Sequence, residues 1–453
     1  MKPHYKRRDF LKHTLAGAVS LSPLMALLGS IERLEAADIG GDYKAIVCVL
    51  LEGGADVCNM IVPAKNDAYR AYKEVRKNIA LPQESLLKIT DVYGMRENMT
   101  AMQKLFSDKK LAIVANVGTL VQSVTPEDVR NGSAPIPFEL FAHNTQRDQW
   151  LLGDATGSSR NGWGARIMDI FYSTHAQSYA KINTADVNTL LFSGGAKSPL
   201  HLDEAYISPN TMRSYGFGPE SGDGDLGSVY QDIYEEAQNS PHKMMAAFAK
   251  RRVEELNLPN ELSGLFDTVR DFAFDTGAHE VGRPLGKQLE TVAEILSVKD
   301  NFPGSPKRQI FFVVQHGWDT HDSDNEHQVG YLSDSLGAFQ AALDGLGLSE
   351  SVTTFTVSDF GRSLSPNGAG TDHGWGLYSF VMGGAVRGGQ IYGTMPQIKI
   401  DSPDAWHDRL VPTIATESYL ATIVKWFGAD ENDLKTIFPN LQTFSQSDLG
   451  FMG

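Results

Sequence analysis

Residues 309–321 read Gln-Ile-Phe-Phe-Val-Val-Gln-His-Gly-Trp-Asp-Thr-His, and their interpretation decides the fold. The run Gln309–Gln315 is apolar and β-branched without polar alternation, the pattern of a strand covered on both faces as in a parallel sheet. It stops at a glycine-containing turn that carries His316, Asp319 and His321. Three further runs have the same character: Ala45–Leu51, Leu111–Val117 and Val352–Val357. Between the third and fourth runs, Glu326–Leu346 sets Tyr331, Leu332, Leu336, Phe339, Leu343 and Leu346 on one helical stripe. That order is a strand–helix–strand crossover, and a second helical pattern, Glu97–Ser107, leads into the second run. The expectation is a doubly wound α/β/α sandwich with a mostly parallel central sheet.

The middle of the chain, 155–306, reads differently. Helical stretches at Val229–Leu256, Leu262–Phe274 and Gly286–Val298 are separated by loops rich in glycine and proline. We read this region as a helical insertion or cap on a single domain spanning 37–453. Its loop Gly216–Gly227 contains Asp223 and Asp225, but the spacing is not that of a calcium-binding EF-hand, so a surface loop is the plainer reading.

Ligands of open α/β sheets bind beyond the carboxyl ends of the strands, so the residues following each run carry the functional information. The first run is followed by Glu52-Gly53-Gly54-Ala55-Asp56-Val57-Cys58-Asn59. The third leads to the His316–His321 turn, and the fourth to Ser358-Asp359-Phe360-Gly361-Arg362 and then Gly370-Thr371-Asp372-His373-Gly374. A lone aspartate after a strand is usually a cap or turn residue, and a lone histidine is usually a hydrogen-bonded structural group. Several of both at neighbouring strand ends supply the ionised carboxylates and neutral imidazoles that a divalent metal needs. Trp318 and Trp375, beside the histidines, read either as core or as walls of a site that stacks a sugar.

Composition narrows the classes. The 453 residues carry 40 Lys+Arg against 55 Asp+Glu, a net charge of −15, and 42% are apolar. An acidic chain without basic blocks is a poor polyanion binder, which argues against nucleic acid as a partner. Its apolar content supports a large core rather than disorder. Two cysteines, Cys48 and Cys58, cannot build a disulfide framework or a cysteine-rich zinc site. At the amino end, Lys6-Arg7-Arg8-Asp9-Phe10-Leu11-Lys12 precedes a moderately apolar stretch from Thr14 to Leu28, with Ala36-Ala37 beyond. That stretch is shorter than the ~20 residues of a membrane span, so residues 1–36 read as a cleavable export signal. The arginine pair resembles the twin-arginine signal, and no later stretch reads as a stable span. The expectation is a periplasmic or otherwise exported protein.

The segments LEGGADVCNMIVP (51–63), LFAHNTQRDQW (140–150), GWDTH (317–321), SDFGR (358–362) with GTDHGWG (370–376), and IFPNL (437–441) together resemble the uncharacterised bacterial domain family numbered 1501. That family is grouped with the alkaline phosphatase and sulfatase superfamily, and the resemblance runs from about Tyr43 to Phe451. It implies an alkaline-phosphatase-like fold, a divalent metal (Zn, Mn, Ca or Mg) at the carboxyl edge of the sheet, and an anionic phosphate or sulfate ester as substrate. Matched position by position, it implies Asp56, Asp319, His321, Asp359 and His373 as metal ligands. Phe360 stands where many members of the superfamily have a second histidine. Relatives often show Ser-His where this chain has Ala142-His143, and no sulfatase motif is visible; Thr145 or a water molecule remains as nucleophile. Arg362 is expected to steady the anion, with Arg147 as a further clamp or a structural salt bridge. Members are often encoded beside another exported protein, which implies a partner and, as the alternative, a non-catalytic binding or assembly protein that retains the fold.

Overall fold

The computed structural model describes residues 41–172, 179–202, 226–261, 265–274 and 280–453. The expected export signal 1–36, and Asp223 and Asp225, lie outside the described residues. Nine strands form the central sheet. They are β1 (Lys44–Leu51), β2 (Leu111–Gly118), β3 (Lys181–Asn183), β4 (Leu200–His201), β5 (Arg308–Gln315), β6 (Val352–Ser358), β7 (Leu377–Met382), β8 (Ile391–Tyr392) and β9 (Ile414–Ala415). Their order is β8-β2-β7-β6-β1-β5-β3-β4, with β9 also pairing β2. Only β7 runs against its neighbours, and the other pairings are parallel. The four apolar runs of the sequence are β1, β2, β5 and β6, each within a residue of its expected span.

Burial explains why those runs lack alternation. Every position of β2, β5 and β6, and all of β1 beyond Lys44, is buried, because helices cover both faces of the sheet. We number the principal helices α1 (Asn66–Arg76), α2 (Thr100–Ser107), α3 (His143–Leu152), α4 (Trp163–Phe171), α5 (Leu226–Ala237), α6 (Lys243–Glu261), α7 (Leu285–Ser297), α8 (Glu326–Leu346) and α9 (Thr416–Phe427). On one side α7, α8 and α2 pack together; the Met102 amide donates to Ser333 Oγ across α2 and α8 at 3.2 Å. On the other, Phe355 of β6 lies between Trp163 of α4 and Tyr419 of α9, at ring separations of 6.1 and 6.2 Å. The fold class is therefore the α/β/α sandwich with a mostly parallel sheet.

The middle region is more integrated than a cap. Strands β3 and β4 extend the sheet past β5, and Gln288 of α7 bonds both the amide and the carbonyl of Val314 in β5. The single helix expected at Val229–Leu256 is two, α5 and α6, interrupted before Pro241, whose ring removes an amide donor and restricts the residue ahead of it. The helix expected at Leu262–Phe274 is, among the described residues, only the turn Leu265–Thr268. Phe274 instead sends its amide to Glu290 of α7 at 2.7 Å, a tertiary partner that local periodicity does not reveal. Cys48 and Cys58 are both buried and free. Among the described residues no helix is long and apolar enough to cross a membrane.

One feature of the register positions the site. Leu51, the last residue of β1, pairs with Gln315 at the end of β5 and with Ser358 at the end of β6. Three central strands therefore end level, and the loops after them leave side by side.

Candidate metal centre

Local sequence prepares these loops for close approach. Gly53 has φ +119°, and a Cβ there would stand 2.3 Å from the Asp319 amide nitrogen, so only glycine lets the turns after β1 and β5 meet. After β6, residues Arg362–Asn367 and Gly370–His373 form an antiparallel hairpin that pairs Arg362 with His373. The hairpin folds His373 back toward Asp359. The fourth contribution comes from α3, whose first residue is His143. Just before it, Phe141 has φ +76°, a strained conformation for a bulky aromatic residue. Its carbonyl accepts a hydrogen bond from His373 Nδ1 at 2.8 Å.

The side chains of His143, Asp319 and His373 place one potential ligand atom each within 4.8 Å of one another. His143 Nε2 lies 3.1 Å from His373 Nε2 and 3.5 Å from Asp319 Oδ2. His321 adjoins the group, with its Nε2 3.0 Å from His373 Nε2 and 3.1 Å from Asp319 Oδ1. The other ring nitrogens are already assigned. His143 Nδ1 donates to Asp359 Oδ2 at 2.8 Å, and His321 Nδ1 faces Asp372 Oδ1 at 3.3 Å.

This pattern tests whether a cation fits. A carbonyl only accepts, so His373 Nδ1 carries the hydrogen and its Nε2 presents a lone pair. Burial holds the His373 pKa below the ordinary histidine value, which keeps that lone pair free. Yet two imidazole nitrogens face that single lone pair at 3.0 and 3.1 Å. One proton can bridge only one of these contacts. A metal ion held by His143, Asp319 and His373 would occupy the lone pairs of His143 and His373 and leave His321 beside the group, and orienting each ligand through its second ring nitrogen is how metal-binding histidines are held. The residues present therefore fit a divalent metal.

Asp319, Asp359 and His373 thus meet, but in different roles. Burial pushes the Asp319 pKa up, but the bond from Arg362 and the charges of His143 and Arg362 outweigh it and hold Asp319 below the usual carboxylate range. Asp359 is almost completely buried, and that burial raises its pKa despite the His143 bond. Its Oδ2 also receives the Gly53 amide at 3.2 Å. Asp359 stands behind His143 as the group that orients it.

Three expected residues have other work. Asp56 gives its Oδ2 to an ion pair with Arg76 of α1, which is wholly buried and also bonds Asn59, Ser363 and Leu364. A buried guanidinium demands a carboxylate, and Asp56 is the one supplied. Arg362 is 2% exposed, with its donors spent on Thr371, the Gly53 carbonyl and Asp319. Its bond to Asp319 fixes that carboxylate. Thr145 donates to Glu139 Oε2 at 2.6 Å. Trp318 and Trp375 are buried, and the Trp375 indole donates to the Thr119 carbonyl at 2.8 Å.

His143 is not among the residues that the sequence marks as ligands. It lies in the segment LFAHNTQRDQW, beside Ala142 where relatives often have serine, and only the structure makes it the first residue of α3. Beside it a second polar chain crosses the strand ends. Arg147, one turn along α3, pairs with Glu52. The other Glu52 oxygen takes His316 Nδ1, and His316 Nε2 donates to Asp186 Oδ1 at 2.9 Å. Clamped by Glu52, and by Asp186 against the cost of burial, His316 has its pKa raised to about 9. A raised folded pKa stabilises the protein fully below the unfolded value, near 6.5, and the contribution disappears as pH rises through the folded value. His316→Gln should therefore lower the midpoint of urea unfolding at pH 6 and leave it close to wild type at pH 10. A loss equal at both pH values would show that His316 is not charged in the folded protein.

Residues 305–434 match a family described as "Protein of unknown function (DUF1501)". The matched span contains Asp319, His321, Asp359, Arg362 and His373 but neither His143 nor Asp56. No curated protein matches the chain. Among solved structures, it is similar to the lipoteichoic acid synthase LtaP from Listeria monocytogenes (9% identity, 91% of this chain and 80% of that one, TM-score 0.35). It is also similar to the PsFucS1 sulfatase from Pseudoalteromonas sp. (11%, 91% and 72%, TM-score 0.35). A third is the C-terminal periplasmic domain of EcEptC from Escherichia coli in complex with Zn (9%, 88% and 85%, TM-score 0.33).

Proposed function

We propose that this protein is an exported, metal-dependent hydrolase of phosphate or sulfate esters. The observation that carries the reading is the group of imidazole nitrogens crowded around one lone pair, with their opposite nitrogens anchored. His143, Asp319 and His373 would hold the ion. Two imidazoles and a carboxylate suit Zn or Mn better than Ca or Mg, which prefer oxygen ligands. A divalent ion there would polarise an ester oxygen and lower the pKa of water. Asp359 holds His143 in the tautomer that presents Nε2, and Arg362 holds the Asp319 carboxylate in place. His321, with Nδ1 against Asp372, is placed to take a proton at Nε2 as general base. With Thr145 occupied by Glu139, water is the nucleophile that this arrangement favours. Export rests on the residue pattern of 1–36.

The test is elemental analysis of protein exported through its own signal, followed by assay on chromogenic phosphate and sulfate esters. The expected result is about one equivalent of Zn or Mn per chain, and hydrolysis that a chelator abolishes and the metal restores. Protein without metal, inactive on both ester classes and co-purifying with an exported partner, would overturn this reading in favour of the assembly role.

A further inference from the structure

We infer that Arg147 is the anion-binding residue of this centre, held ready by the chain Glu52–His316–Asp186; this rests on the reading just given. An anionic ester oxyanion beside His143 and His373 needs a cation with donors to spare. Arg362 is 2% exposed and spends four of its five donors on internal acceptors. Arg409, 29% exposed, also has donors to spare, but it packs over the Phe141 ring and bonds Asp408 and the His373 carbonyl from outside the strand-end turn, and it is the rival that the experiment separates. Arg147 lies four residues after His143 on α3, so the two side chains leave the same helix face. Its side chain is 30% exposed, and among the described residues its only partner is Glu52. Glu52 in turn precedes Gly53, whose amide reaches the Asp359 oxygen that also receives His143. Arg147 and His143 thus flank the same turn.

The charge pattern explains how this arginine stays available. Arg147, Glu52, His316 and Asp186 alternate in sign. An anionic ester arriving at Arg147 can displace Glu52 without stranding a buried charge, because Glu52 keeps His316 as its partner. The guanidinium fork then offers paired donors to two oxygens of one tetrahedral anion, which a lysine cannot reproduce. The ligand chemistry implied is a phosphoryl or sulfuryl group carrying at least two unesterified oxygens.

The experiment measures binding of inorganic phosphate, and separately sulfate, to the whole protein by calorimetry, after metal content and thermal unfolding of each variant are recorded. Arg147→Ala is expected to keep its metal and fold while phosphate binds at least about tenfold more weakly. Arg147→Lys should recover only part of the affinity, and Arg409→Ala should stay within about twofold of wild type. Without His316 as a partner, Glu52 holds Arg147 more firmly, so His316→Gln should weaken phosphate binding. The same change should have no further effect in an Arg147→Ala background, a coupling that a purely structural role would not produce. Arg147→Ala with phosphate affinity unchanged, or Arg409→Ala carrying the loss instead, would overturn the inference. A wild-type protein that binds no metal sinks the hydrolase reading, not this one, provided phosphate still binds through Arg147. Failure of wild type to bind phosphate or sulfate in any metal state sinks this one.

Discussion

His143→Ala is expected to reduce bound Zn or Mn from about one equivalent to less than a tenth, measured by elemental analysis after dialysis against dilute metal. Among the described residues, His143, Asp319 and His373 bring ligand atoms within 4.8 Å of each other, so removing His143 leaves Asp319 and His373, with His321 beside them at 3.0 Å from His373 but tied through Nδ1 to Asp372 as the base of the proposed reaction rather than as a ligand. The change also strips Asp359 of its imidazole donor, leaving the Gly53 amide as its described partner. His143→Gln separates these effects. Its amide can still donate toward Asp359 but cannot present an imidazole lone pair, so it should keep stability near wild type while still losing the metal. Full metal content in both variants would remove His143 from the centre.

The second large effect concerns Asp56, the residue that the family resemblance implied as the first ligand. Asp56→Ala is expected to destabilise the fold by about 3–5 kcal/mol, because it leaves the Arg76 guanidinium buried without a carboxylate. Urea unfolding should show this as a lower midpoint with an unchanged slope. Metal content of the folded fraction should remain that of wild type. The double replacement Asp56→Ala with Arg76→Met removes both charges and should recover much of the loss, the behaviour of a buried pair whose partners are deleted together. Loss of metal without loss of stability would return Asp56 to the ligand set.

These two residues also show what could be read in advance. Asp56 and Asp359 both follow a strand, both are nearly buried, and each has one carboxylate oxygen tied to a cation or imidazole. Nothing in the order of residues tells which of them faces the histidines. The difference lies in Arg76, twenty residues on in α1, whose buried guanidinium claims Asp56. Likewise His143 and Ala142 are neighbours in the chain, but only the turn at Phe141 and the start of α3 aim the imidazole at Asp359. Arg362 looked like an anion clamp because it follows Asp359; packing surrounded it with acceptors instead.

The order of residues alone was enough for the four long buried strands β1, β2, β5 and β6 and for helices α2, α7 and α8, because an unalternating apolar run has nowhere to go but between two layers. It also identified the loops that carry the chemistry, since ligands gather where parallel strands end. Strand β7 and the edge strands β3 and β4 were not legible, because their pairing depends on distant segments rather than on a local pattern. The roles of individual carboxylates, imidazoles and guanidiniums were decided by tertiary structure. A side chain's function depends on which partner reaches it first, and those partners lie 20, 216 and 230 residues away, as for Asp56 with Arg76 and for His143 with Asp359 and His373.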